Sequence, residues 1–126
     1  MKKERIIVDT NIIIDVFAKR EGFYETSYKL LKLCENGDII GCITASTVTD
    51  IYYLIRKYAD RKTADDALGH LLNIFTVIDV TGEDVVNAYL MHSEDYEDCL
   101  LGVCAARAGI NRIVSRDKRG FKTMDI

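Results

Sequence analysis

The sequence predicts an α/β protein, with a short parallel sheet of about four strands sandwiched between helices in a single domain spanning residues 1–126. Three observations predict it. Short β-branched runs alternate with longer segments whose apolar residues recur at helical spacing, the pattern of a parallel sheet covered on both faces. The 126 residues fit one compact domain and leave no room for two ordinary ones. Hydrophobic residues make up 48% and charged residues 29%, so a packed core is expected and disorder is not.

Residues 6–8 form a β-branched run followed at once by Asp9, Thr10 and Asn11, and read as a buried first strand. A short helical segment is expected over 12–18. A longer one is expected over 25–35, with Tyr28, Leu31 and Leu33 among its apolar residues and Asn36-Gly37 as its stop. "DIIGCI" (38–43) reads as the second strand. The helix after it opens at the candidate caps Thr44 and Ser46 and carries Val48, Ile51, Tyr52, Ile55 and Tyr58 at helical spacing. Residues 63–75 repeat that pattern through Ala64, Ala67, Leu68, Leu71, Leu72 and Phe75. A third strand over 76–80 leads to a helix over about 83–91. "SEDYEDCLLGVCAARAGI" then reads as a helix whose acidic first turn suits the macrodipole and whose end is marked by Gly109. "NRIVSRD" (111–117) supplies the fourth strand. There is no proline, so the loops rely on Gly, Asp and Asn.

Composition also excludes function classes. A net charge of −3 argues against a protein held on DNA mainly by phosphate neutralisation, but not against a nuclease whose acidic site meets nucleic acid through metal ions. Cys34, Cys42, Cys99 and Cys104 lack CxxC spacing, and neither His70 nor His92 sits near a cysteine pair, which argues against zinc. The basic start "MKKERIIVDT" reaches Asp9 after an apolar run too short for a signal peptide or membrane span. A reduced, cytoplasmic protein without membrane attachment is expected.

The acids carry the chemistry. Asp9 ends a buried strand, where it serves either as a helix cap or as a carboxylate aimed at a ligand, with Asn11 to orient it. In open α/β sheets ligands gather at the carboxyl ends of the strands, and both Asp9 and Asp117 fall at such ends. Asp50 lies inside a helix, on a side shared with Thr47 and Tyr53, which need not be buried; turned inward, it would require a compensating charge. Glu94, Asp95, Glu97 and Asp98 are explained in the main by the helix dipole. Asp98 shares a helix side with Leu101 and Ala105, and Glu97 with Leu101, Cys104 and Ala108, so periodicity does not choose between them. Asp117 also suits a turn. Asp15 has no such company and is expected at the surface.

Four segments, "VDTNIIID" (8–15), "ITASTVTDIYYLIRK" (43–57), "DYEDCLLGVCAARAGINRIVSRD" (95–117) and "KRGF" (118–121), together resemble the PIN-domain family of metal-dependent ribonucleases, which includes the toxins of VapBC toxin–antitoxin systems. The resemblance implies a PIN-like fold and four metal-binding, catalytic acids, at Asp9, Asp50, Asp98 and Asp117. Asp50 stands where many members have the longer Glu. Asn11 and Ser115 match the small polar residues beside the first and last acids, and Thr10 is expected to support Asp9 as well. The implied cofactor is Mg²⁺ or Mn²⁺, which prefer the oxygen ligands on offer and generate a nucleophile from water at neutral pH. The implied substrate is RNA, with Arg116, Lys118, Arg119 and Lys122 as candidate phosphate contacts and Phe121 and Tyr53 as candidate stacking residues or core. A cognate antitoxin and a homodimer are implied as partners. The family's last strand should follow "RGF", and this edge is expected to be abbreviated or its strand supplied in another way. A phosphatase using Asp9 as nucleophile would want an acid where Asn11 stands, and a receiver-type phosphoacceptor would want a late lysine where "IVSRD" has an arginine and an acid. A PIN fold that binds RNA or protein without cutting is the main alternative.

Overall fold

The computed structural model describes residues 3–117 and 120–125, with the backbone course alone for Asp117 and 120–125. In chain order the elements are β1 (Arg5–Val8), α1 (Thr10–Phe17), α2 (Tyr24–Glu35), β2 (Ile40–Thr44), α3 (Ala45–Tyr58), α4 (Arg61–Ile74), β3 (Thr76–Ile78), α5 (Gly82–Leu90), α6 (Tyr96–Arg107), β4 (Arg112–Asp117) and β5 (Gly120–Asp125). The two expected helix stops both adopt the left-handed backbone that glycine tolerates, at φ +81° for Gly37 and +73° for Gly109.

The sheet order is β3-β2-β1-β4-β5. The first four strands in that order are parallel, with Ile6 beside Gly41 and Val8 beside Val114. The C-terminal edge is not abbreviated: β5 runs antiparallel to β4, with Asp117 opposite Gly120 and Arg112 opposite Asp125. An antiparallel neighbour needs no crossover helix, so the few residues after Asp117 suffice.

Alternation along the strands splits the core in two. Ile6, Val8, Ile43 and Val114 face Ile12, Ile13, Leu31, Ile51, Ile55 and Leu71 of α1–α4. Ile7, Cys42, Ile78 and Ile113 face Leu101 and Ala105 of α6. Ile7, Ile12, Ile13, Ile43 and Ile51 are fully buried, each stabilising the fold by about 1.5–3 kcal/mol relative to exposure. The helical stripes are only partly core, since Tyr28, Leu33, Tyr58 and Leu72 remain exposed.

One expectation about a polar residue is corrected, and one that stood open is decided. Asp15 is wholly buried, not at the surface, because α1 packs on more than one side and Ser27 and Arg116 meet the carboxylate there. Thr47 is buried too, at the α3 N-terminus, where its backbone N–H donates to Thr44 Oγ1.

The topology also fixes where a ligand belongs. From β1 the chain builds β2 and β3 on one side, then places β4 on the other, so the β1–β4 crevice is a topological switch point at the strands' carboxyl ends.

Candidate metal centre

Asp9 is the last residue before α1, and its backbone N–H donates to Val114 O at 3.0 Å, continuing the β1–β4 pairing. Its carboxylate is held on both oxygens. Oδ1 accepts from Thr10 N at 2.7 Å, while Oδ2 accepts from Ser115 Oγ at 2.7 Å and from Asn11 Nδ2 at 3.4 Å. Asn11 in turn donates to Ser115 Oγ and accepts from Arg116 N, both at 3.3 Å. The carboxylate is thus fixed in direction by α1 and β4 together, while remaining half-buried rather than sealed.

Hydroxyls join the helix that follows Asp9 to the helix that carries Asp50. Thr10 Oγ1 donates to Thr47 Oγ1 at 3.3 Å, Thr44 Oγ1 donates to the same atom at 3.2 Å, and Thr44 shares a 2.9 Å bond with Ser46. This chain ties the start of α1 to the start of α3, one turn before Asp50. Asp50 is exposed at the rim of the resulting pocket, and loss of hydration there raises its pKa.

The pocket has a volume of about 220 Å³ and is lined by Asp9, Thr10, Ser46, Thr47, Asp50, Tyr96, Glu97, Leu100 and Leu101. The N-termini of α1, α3 and α6 all open onto it. Each carries partial positive charge, which favours carboxylates and other anions at this spot. No Lys or Arg is among the described lining residues.

Asp95 caps α6, accepting from Asp98 N at 3.1 Å. Asp98 is exposed, yet its carboxyl is pushed up to about 6, first by lost hydration and then by the charges of Asp95, Asp9 and Glu97. It therefore feels Asp9 across the site. Glu97, rather than Asp98, lines the pocket beside Asp9 and Asp50. The only sequence signal for Glu97 was its helix side with Leu101, Cys104 and Ala108, and that signal did not separate it from Asp98.

Other expected site residues fall elsewhere. The side chains of Asp117, Phe121 and Lys122, and the whole of Lys118 and Arg119, lie outside the described residues. Arg116 points to the sheet face opposite Ser115, with its Nε 3.0 Å from Asp15 Oδ2 and its guanidinium 4.4 Å from the Phe23 ring centroid. Its guanidinium is thus engaged with Asp15 and Phe23 on that face. Tyr53 is 66% exposed, which removes the core explanation for it.

Among the described residues, no three His, Cys, Asp or Glu side chains converge closely enough to hold one ion directly. The donor chemistry nonetheless fits a hard divalent cation. The acids are oxygen donors, the Asp98 carboxyl is pushed up by lost hydration and by the charges of Asp95, Asp9 and Glu97, and the lining offers no described counter-charge. Mg²⁺ keeps several waters and takes one or two carboxylates directly, so a looser carboxylate ring suits it.

Comparison with known proteins completes the description. A family model described as "PIN domain" matches residues 5–119. A curated relative from Aquifex aeolicus, Ribonuclease VapC1, is 29% identical over an alignment covering 100% of this chain and 90% of its own. Among solved structures, Mycobacterium tuberculosis VapC20, a sarcin-ricin-loop-cleaving toxin, superposes with a TM-score of 0.71 at 14% identity, covering 89% of each chain. VapBC2 from Rickettsia felis, bound to a DNA fragment from its promoter, gives 0.70 at 13% identity, covering 94% of this chain and 99% of the other.

Proposed function

The chain belongs to the PIN-domain family, and on that premise we propose that it is a metal-dependent ribonuclease acting as the toxin of a VapBC-type pair. The observation that carries this reading is the carboxylate pocket at the β1–β4 switch point, with Asp9 fixed on both oxygens and Asp98 pushed up by lost hydration and by its acidic neighbours. Similarity to Ribonuclease VapC1 along the whole chain supports the activity.

Asp9, Asp50 and Asp98 would hold Mg²⁺ or Mn²⁺, directly or through water, with Glu97 beside them and Asp117 as the fourth acid. The bound ion would supply an activated water and relieve charge on the phosphoryl oxygens. Asn11, Ser115 and Thr10 aim the Asp9 carboxylate. The three helix N-termini favour a phosphate entering the pocket. Tyr53 on the exposed face of α3 is available to stack a base, and Lys118 and Arg119 are basic residues that directly follow Asp117 in sequence.

The same reading gives the protein a cytoplasmic setting and a cognate antitoxin. It also gives it a second copy, for which the exposed Val85, Val86, Tyr89, Leu90 and Met91 on and just after α5 offer an apolar face. Among the described residues, no helix is long and apolar enough to cross a membrane.

The competing reading, a PIN fold that binds RNA or protein without cutting, draws on the wide spacing of the acids. Cleavage of an RNA panel with Mg²⁺ or Mn²⁺, by wild type, Asp9→Asn and Asp98→Asn, separates the two. Metal-dependent cleavage that both substitutions abolish is the expected result. Activity surviving both would mean a contaminant or another site, and no cleavage by metal-loaded wild type would favour the binding module.

A further inference from the structure

Asp15 is a buried acid that the proposed chemistry does not use. It lies in the second half of α1 with its side chain fully enclosed, and Ser27 Oγ of α2 donates to its Oδ2 at 3.2 Å. Arg116 Nε approaches the same oxygen at 3.0 Å, while Arg20 NH1 stands 3.8 Å from Oδ1. The Arg116 guanidinium lies over Phe23, just before α2, and is only 22% exposed. Among the described residues, Arg116 Nε and Asp15 Oδ1 make no aligned hydrogen bond, so charge and stacking hold the pair.

Position gives the pair its meaning. Arg116 follows Ser115, which donates to Asp9, and precedes Asp117; its own N–H donates to Asn11, which also binds Asp9. One strand end thus sends Ser115 to the carboxylate pocket and Arg116 through to the opposite face, where Asp15 anchors it. A buried ion pair is a poor choice for stability alone, because apolar residues of similar volume do as well or better. It does fix geometry. Asn11 pins α1 to β4 near the helix start, and Asp15 pins it again one turn later.

Resting on the metal-site reading above, we infer that the Asp15–Arg116 pair is a positioning element for the metal centre: it locks the end of β4 against α1, so that Ser115 and Asn11 hold the Asp9 carboxylate in its ion-binding direction. The two residues act through Asp9 and touch neither ion nor RNA.

The test is Mn²⁺ binding itself, followed through the EPR signal of the free ion, on wild type, Asp9→Asn, Asp15→Asn, Arg116→Ala and Arg116→Lys. Circular dichroism confirms that each is folded. Arg116→Ala is expected to weaken Mn²⁺ binding about tenfold, the scale seen when partners of metal ligands are lost. Asp15→Asn, which keeps the side-chain shape, is expected to weaken it in the same direction, and Arg116→Lys to recover most of the loss. Wild-type Mn²⁺ affinity in folded Asp15→Asn and Arg116→Ala, whatever their thermal midpoints, would overturn the inference and make the pair a packing feature only. If wild type and Asp9→Asn bind Mn²⁺ alike, the metal-site reading falls first and this inference with it. Should Arg116→Ala not fold, Asp15→Asn and Arg116→Lys decide alone.

Discussion

Two acidic helix starts in this molecule are built in opposite ways. At the start of α5, Asp84 is buried and its charge is matched within the fold. Arg107 Nε donates to both of its oxygens at 3.0 Å, Thr81 N donates to Oδ2 at 2.9 Å, and Cys104 Sγ lies 3.6 Å away. The Arg107 guanidinium, with Thr81, holds its carboxyl down to about 2. Asp9, Asp50 and Glu97 line the pocket where α1, α3 and α6 begin, with no described Lys or Arg beside them, and neighbouring Asp98 is driven up to about 6 by lost hydration and by nearby acids. One acid carries its counter-charge inside the fold; the other group leaves a place for one. On the metal-site reading, a structural acid and a ligand-seeking acid are told apart by what neutralises them, not by burial, since the structural one is the more deeply buried.

The largest expected effect breaks the second region. Asp9→Asn keeps the side-chain shape, removes the charge and replaces one of the two accepting oxygens with a donor. Losing mere partners of metal ligands already costs 10- to 100-fold, so RNA cleavage should fall by roughly 100-fold or more. The rise in thermal midpoint on adding Mn²⁺ to wild type should shrink or vanish in this variant, and equal rises in both would remove Asp9 from the ligands. Next comes the first region. Arg107→Ala leaves Asp84 buried beside Thr81 without its cation, and the thermal midpoint should drop on the order of 10 °C. Its Mn²⁺ response and its cleavage per folded molecule should persist. A variant that loses cleavage while keeping its midpoint would mean that the two regions are coupled.

The contrast was only half legible in the sequence. The order of strands and helices followed from apolar periodicity, and the Asp9 neighbourhood from a carboxylate ending a buried run. Asp84 gave no signal, because a Thr-x-x-Asp capping pattern looks the same whether exposed or buried, and Arg107 is 23 residues away. Asp15 misled for the same reason: its partner Arg116 comes from the far end of the chain, and an acid on a short apolar helix is ordinarily solvated. Glu97 and Asp98 stand side by side on one turn, so periodicity could not say which reaches the pocket. The last strand needed no pattern of its own; pairing with β4 defines it.

On acid titration the two regions respond with opposite sign. Asp84 has a folded pKa of about 2, below the roughly 3.9 of a free aspartate. Its contribution is therefore present above about pH 4 and is lost as pH falls toward 2. Asp98 has a folded pKa of about 6, so the folded state binds the extra proton between roughly pH 4 and 6. The metal-free protein should then gain stability as pH falls from 7.5 to about 5 and lose it below about 4. Thermal midpoints measured in EDTA across that range would show the reversal, and a monotonic fall from neutral pH would deny it. With Mn²⁺ present the upper limb should invert, since protons and the ion compete for the same carboxylates.

The smallest effect isolates Asp98. Replacing it with Asn removes a charge that the folded state resists, so in EDTA at pH 7 the metal-free protein should become more stable. The side chain is exposed, and solvent screening reduces the gain well below what the shift in pKa alone would give, to a rise in midpoint of about 2–4 °C. The same substitution should flatten the limb between pH 7.5 and 5 and leave the acid limb, which belongs to Asp84, in place. It should also lower the midpoint gained on adding Mn²⁺, so that wild type and variant converge or cross when the ion is present. A variant more stable without the ion and less responsive to it is the mark of a ligand-seeking acid. Were Asp98→Asn to destabilise the protein in EDTA, Asp98 would be a structural cap, and Glu97 would take its place in the ring.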